Sequence, residues 1–259
     1  MFKAKMTDAR LLRDTFSAIG ILIDEATFNL TPENINLRAM DPSRVAMVDF
    51  FWPKTVFDEV AEGTGFQYEC DQPQKICVNL TELLKLLRRT SKEEAVEMSL
   101  NPETQRLQIS ITGKYNRVFN MPTLEPQEEE VPTPKITFKV QAKVTAYGLR
   151  QVIEDAQLVS DHVRIEADTE KLVLNATGDL MGATIELKKG SDALLELQTQ
   201  EPSKATYSLS YLSEIIKAAS ATSEIATLEF ANDMPIRIDF QQPKEGKLTY
   251  YLAPRIEVE

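Results

Sequence analysis

Residues 2–19 read FKAKMTDARLLRDTFSAI, and residues 138–156 read FKVQAKVTAYGLRQVIEDA. In each, a short alternating stretch precedes a run whose apolar residues recur every three or four positions. Leu12-Arg13 aligns with Leu149-Arg150, and at the same spacing Phe16 meets Ile153, Phe28 meets Ile165 and Ile35 meets Leu172. Leu37 and Ala39 likewise meet Leu174 and Ala176. Identity is low, but the apolar positions agree in order and type. The chain of 259 residues therefore reads as two similar domains of about 130 residues each.

Four stretches carry one helical pattern. Leu12, Thr15, Phe16 and Ile19 fall at i, i+3, i+4 and i+7, as do Leu80, Leu83, Leu84 and Leu87. Leu149, Val152, Ile153 and Ala156 repeat the spacing, and so do Leu212, Ile215, Ile216 and Ala219. That spacing places four side chains on one helix face. Asp8, Asn79 and Ser210 are the expected N-caps. Between the helices the period is two, as in residues 34–40 (NINLRAM), 106–111 (RLQISI), 171–174 (KLVL) and 235–240 (PIRIDF). Such runs are half-buried antiparallel strands. The expected fold class is α+β: two similar domains, each with antiparallel sheets and two helices on one face.

Residues 120–135 divide the halves. Pro122, Pro126, Pro132 and Pro134 remove backbone donors and fix φ, while Glu125, Glu128, Glu129 and Glu130 keep the segment solvated. This gives domain 1 at 1–119, a connector at 120–135 and domain 2 at 136–259.

Composition narrows the chemistry. The net charge of −11 argues against binding nucleic acid over the whole surface, though a local basic stripe is compatible with it. Two cysteines, Cys70 and Cys77, and one histidine, His162, exclude a disulfide scaffold and Cys/His zinc spacings. A Ser-His-Asp triad would have to use His162 alone. No GxSxG, HExxH or Walker A sequence is present. The first residues, MFKAKMTDAR, lack a signal-peptide apolar run, and no window of about 18 apolar residues occurs. The expectation is a soluble cytosolic protein with no metal or cofactor.

The positive charge has a pattern. The polar helix faces carry Arg10 and Arg13, then Lys85, Arg88 and Arg89, then Arg150, then Lys217. Arg13 and Arg150 each follow the first apolar position of their helix by one residue, and Lys85 and Lys217 follow theirs by five. Corresponding helices thus aim cations alike. Asp14, Glu82, Glu154, Asp155 and Glu214 dilute this surface. A few phosphate contacts without base readout suit a protein that slides on DNA. No aromatic stacking platform for single strands accompanies the cations.

Three segments carry a resemblance. They are Leu37-Arg-Ala-Met-Asp-Pro-Ser-Arg-Val45, the acidic proline-bearing stretch 120–135, and Tyr250-Tyr-Leu-Ala-Pro-Arg-Ile-Glu257. In this order they resemble the sliding clamp family, of the proliferating cell nuclear antigen type, with the two-repeat layout spanning the chain. The resemblance implies a homotrimeric ring around duplex DNA, with helices lining the hole and carrying the seven cations. It implies a DNA polymerase processivity factor, not an enzyme, in the cytoplasm or nucleoid, or in the nucleus of a eukaryote. Implied partners are DNA polymerase, a clamp loader, flap endonuclease and DNA ligase. A partner-peptide pocket would use Met40, Val45, Val131, Pro132, Pro235, Tyr251, Ala253 and Pro254. The subunit interface would join Lys114, Tyr115, Arg117 and Phe119 of one chain to Leu180, Met181 and Ile185 of the next. Two alternatives stay open. One is a subunit of a heterotrimeric or checkpoint-type clamp. The other is an acidic metal-dependent hydrolase using pairs such as Asp41 and Asp49, or Asp161 and Glu166.

Overall fold

A computed structural model describes residues 1–58, 68–101, 103–126 and 131–256. Glu128, Glu129 and Glu130 of the expected connector, and Glu257 of the C-terminal motif, lie outside the described residues. The chain divides into two compact units. Unit 1 comprises Met1–Ala39, Asp49–Val131 and Gln242–Lys247, and unit 2 comprises Met40–Val48, Pro132–Gln241 and Leu248–Glu259.

In unit 1, β1 (Phe2–Met6) leads into α1 (Ala9–Ile19). Then come β2 (Glu25–Leu30), β3 (Asn34–Met40), β4 (Ala46–Pro53) and a single turn of helix, α2 (Thr55–Asp58). β5 (Tyr68–Cys70) and β6 (Gln74–Asn79) precede α3 (Leu80–Leu87). β7 (Ala95–Asn101), β8 (Arg106–Thr112) and β9 (Arg117–Pro122) complete the unit. In unit 2, β10 (Val140–Thr145) leads into α4 (Ala146–Gln157). β11 (His162–Ala167), β12 (Lys171–Thr177), β13 (Gly182–Lys188), β14 (Leu194–Thr199) and β15 (Ser203–Ser208) follow. After α5 (Leu209–Ala219) come β16 (Ile225–Phe230), β17 (Ile236–Gln241) and β18 (Lys247–Leu252).

The strand orders reproduce the repeat. Unit 1 runs β5-β1-β7-β8-β9 in one sheet and β6-β2-β3-β4 in the other. Unit 2 runs β14-β10-β16-β17-β18 and β15-β11-β12-β13. Taken in chain order with the one-turn α2 set aside, each strand of unit 1 has its counterpart at the same place in unit 2. Phe28 and Ile165 both point into the core from equivalent strands, as do Leu37 and Leu174.

Every position of the four helical patterns is buried, from Leu12 through Ala219. α1 packs beside α3, and α4 beside α5. Asp8 and Asn79 cap α1 and α3, accepting hydrogen bonds from the N–H groups of Arg10 and Glu82. The expected Ser210 cap is corrected. Ser208 holds the cap position of α5, Ser210 lies inside the helix, and their hydroxyls bond each other at 2.8 Å. Thr145 caps α4 through the N–H of Gly148, where a Cβ would stand 2.7 Å from the Thr145 hydroxyl. The expected strand at 138–142 begins two residues later, at Val140, where its pairing with Thr199 starts. At the other end β9 extends through Pro122, three residues into the stretch read as connector. Proline is tolerated there because β9 ends the strand order and Pro122 ends the strand.

The unit 1 core is aromatic. Phe16 stacks on Phe28 at 5.1 Å, Phe50 meets Trp52 edge-on at 5.1 Å, and Phe57 stacks on Tyr68 at 5.2 Å. Gly246 is required beside this cluster, since a Cβ there would lie 2.9 Å from the Trp52 ring. Phe28 is 3% exposed, so Phe28→Ala leaves a cavity and costs about 3–5 kcal/mol. Trp52 is the single tryptophan, and its fluorescence during chemical denaturation will show the destabilisation as an earlier transition.

Candidate functional site

The four helices bury their apolar stripes, so their charged residues face outward. Arg10 bonds Asp8 at 2.6 Å, Arg13 bonds Asp14 at 2.8 Å, Lys85 bonds Glu82 at 2.6 Å and Arg150 bonds Glu154 at 2.7 Å. Each pair is local in sequence and reaches solvent, so it is weak and screened by salt. Lys217 is exposed on the last turn of α5. Arg88 and Arg89 are corrected in place. α3 ends at Leu87, Arg88 forms its C-cap, and Arg89 lies beyond it. Both remain exposed. Their charge there complements the helix dipole. In unit 2, Arg150 of α4 and Lys217 of α5 line one open hollow of about 500 Å³, shared with Tyr147 and Glu224.

The expected pocket residues divide between the units. Val131 belongs to unit 1, where its carbonyl accepts from Arg38 Nη1 at 3.3 Å. Met40, Val45, Pro132, Pro235, Tyr251, Ala253 and Pro254 belong to unit 2. Val45 and Ala253 are joined directly, the Ala253 N–H donating to the Val45 carbonyl at 2.9 Å. Arg255 N–H bonds the Thr206 carbonyl at 2.7 Å, laying the C-terminal tail against β15. The Arg255 guanidinium also meets the His162 ring. Met40 is apolar yet 36% exposed. Val45, Pro235, Tyr251, Ala253 and Pro254 are half-buried.

The loop between Met40 and Ala46 is built on Asp41. Its Oδ1 accepts from the N–H groups of Val45 at 2.8 Å and Ala46 at 2.6 Å. Its Oδ2 accepts from Ser43 N–H at 3.1 Å and from the Tyr211 hydroxyl at 2.8 Å. Burial pushes this carboxyl up, but the bonds from Ala46, Tyr211, Ser43 and Val45 outweigh it and hold Asp41 below the ordinary carboxylate value. Pro42 presets the turn, and Arg44 takes a left-handed φ of 58°.

Of the expected interface, β9 and β13 each stand last in their strand order. Tyr115 is 63% exposed, Leu180 96% and Met181 59%. Lys114 is exposed, and Phe119 and Ile185 are half-buried. Arg117 is already engaged, ion-paired with Glu94 and lying 5.1 Å from the Tyr115 ring centre.

The chain was compared with known proteins. The N-terminal domain of proliferating cell nuclear antigen matches residues 1–124, and its C-terminal domain matches residues 133–255. The chain belongs to the proliferating cell nuclear antigen family. It is 34% identical to a DNA polymerase sliding clamp of Nitrosopumilus maritimus, covering 99% of both chains. It is 35% identical to DNA polymerase sliding clamp 1 of Pyrobaculum aerophilum, covering 96% of both. A crystal structure of PCNA from Thermococcus kodakaraensis superposes with a TM-score of 0.91 at 26% identity, covering 98% of this chain and all of that one. A chain of the PCNA2–PCNA3 complex from Sulfolobus tokodaii superposes with a TM-score of 0.88, also at 26% identity and with the same coverage.

Within this family frame three of the carboxylates considered for hydrolysis have structural work. Asp41 holds its loop, Asp49 bonds Arg38 at 2.7 Å, and Glu166 bonds Arg164 at 2.7 Å. The Asp161 backbone carbonyl accepts from Leu209 N–H at the start of α5. Among the described residues no group of three His, Cys, Asp or Glu side chains is placed to hold a metal ion, and no helix is long and apolar enough to cross a membrane. Sequence reading missed Tyr211. Tyr211 is an ordinary amphipathic-helix residue in the sequence, and its acceptor Asp41 lies 170 residues away in the chain.

Asp41 has a native pKa below its unfolded value of about 3.9, so its contribution is full above that value. It is lost as pH falls through the native pKa. Asp41→Asn will lower amide-exchange protection of Val45 and Ala46 roughly tenfold at pH 6, about 1.4 kcal/mol. The gap to wild type will close below about pH 4.

Proposed function

We propose that the protein is a DNA polymerase processivity factor, a ring-shaped sliding clamp that encircles duplex DNA. The observation that carries this reading is the full-length duplication: two units with one strand order, each with a helix pair whose buried stripe leaves cations outward. The whole-length similarity to proteins named DNA polymerase sliding clamp supports it. The domains are residues 1–119 and 136–259, with 120–135 connecting them. The ring closes by pairing the strand edge at Lys114–Phe119 with the edge at Leu180–Ile185 of the next chain, which covers two otherwise unpaired edges.

Arg10, Arg13, Lys85, Arg88, Arg89, Arg150 and Lys217 face the DNA backbone. Their existing ion pairs are weak, so phosphates can compete for them without fixing one register. Met40, Val45, Val131, Pro132, Pro235, Tyr251, Ala253 and Pro254 receive a peptide with aliphatic and aromatic anchors. A flexible methionine in such a pocket accommodates varied ligands. Polymerase, clamp loader, flap endonuclease and DNA ligase are the partners. The protein acts without catalysing a reaction, by raising the local concentration of its partners on DNA. A second reading, a subunit of a mixed ring, draws on the similarity to a chain of the PCNA2–PCNA3 complex.

Light scattering during size exclusion tests the ring directly. A homotrimer gives three times the chain mass of 29.2 kDa. A monomer at every concentration overturns the homotrimer and turns attention to mixed assembly. Changing Lys85, Arg88 and Lys217 together to alanine will leave that mass unchanged. The same change will shorten retention on circular DNA and reduce its salt slope by up to roughly one unit for each phosphate no longer neutralised. Changing Met40 and Tyr251 to alanine will weaken peptide binding, measured by calorimetry, without altering mass.

A further inference from the structure

We infer that Tyr211 is a positioning residue for the partner-peptide pocket, a role that rests on the pocket reading above. The loop Asp41–Val45 separates Met40 from Ala46, and the pocket residues Met40 and Val45 flank its two ends. Its internal bonds run through the Asp41 carboxylate to the N–H groups of Ser43, Val45 and Ala46. Those bonds shape the loop but do not fix it to the body of unit 2. Two contacts do. At one end Ala253 N–H holds the Val45 carbonyl. At the other the Tyr211 hydroxyl, from the first turn of α5, donates to Asp41 Oδ2 at 2.8 Å.

The quality of this second anchor follows from its surroundings. Asp41 is 5% exposed, so its ionised oxygen has few alternative donors in water. The acceptor is charged, which strengthens the bond relative to a neutral pair. α5 is a firm base, because Leu209, Leu212, Ile215 and Ile216 are all buried. Tyr211 itself is half-buried, so its ring contributes less to the core than those neighbours, and its hydroxyl makes the directional contact. Removing the hydroxyl frees the Met40 end of the loop. A peptide must then order that end on binding, and ordering lowers affinity.

The test uses the full chain and a synthetic peptide carrying leucine and phenylalanine anchors. Tyr211→Phe keeps the ring and removes the hydroxyl. Calorimetry should show Kd rising five- to tenfold, with solution mass and retention on circular DNA unchanged. Amide protection at Val45 and Ala46 should fall while that of Leu212 and Ile215 in α5 stays. In an Asp41→Asn background the Tyr211→Phe step should change Kd less than in wild type, because the Asp41 carboxylate and the Tyr211 hydroxyl share a bond. Equal Kd for wild type and Tyr211→Phe overturns the positioning role alone. Fully additive effects in the double variant, or a fall in protection throughout α5, also overturn it. A wild-type protein that binds no such peptide overturns the pocket reading, and this inference with it.

Discussion

Burial of four apolar helix stripes against antiparallel sheets is the constraint from which the rest of the structure follows. Leu83, Leu84 and Leu87 on α3, and Ile215, Ile216 and Ala219 on α5, leave no freedom about which way each helix faces. Once the stripe is turned inward, Lys85 and Lys217 must turn outward, because each sits off the stripe at the same spacing. The basic residues are therefore displayed by the packing of the core, not by a loop that could rearrange. This matters for a chain of net charge −11, whose general surface repels phosphate. Only a rigid scaffold can concentrate a few cations on one face against that background.

The same physics explains what the sequence made legible. Apolar periodicity is local, so all four helix faces, the period-two strands and the duplicated order could be read from residues such as Leu12 and Leu149. What failed was set by short-range competition or by contacts between distant segments. α2 is one turn long, too short to show a period. Ser210 was read as a cap because it precedes the apolar run, but the helix starts at Leu209 and Ser208 holds the cap position. Arg88 and Arg89 fit the helical spacing but fall after the last turn of α3. The bond between Asp41 and Tyr211 has no signal in either segment, because it joins the loop after β3 to the start of α5.

The cations also show why weak pairing suits the proposed role. Arg10, Arg13, Lys85 and Arg150 each hold a carboxylate within four residues of themselves. These pairs keep the arginines and lysines oriented in the absence of DNA. They also keep the surface from becoming a dense positive field that would trap a polyanion. A protein that must move along a duplex needs contacts that exchange faster than they accumulate. Exposed, local ion pairs supply that, since each phosphate contact replaces an existing one instead of adding to a bare charge.

α5 links the Asp41 loop to the hollow of Arg150 and Lys217 within unit 2. Its first turn carries Tyr211 toward the Asp41 loop, and its last turn carries Lys217 into the hollow shared with Arg150. Between them the helix is fixed by its buried face, so neither end can shift without disturbing the packing of Ile215 and Ile216. It acts as a strut. Its buried face ties the Asp41 loop, through Tyr211, to the same packed core that displays Lys217.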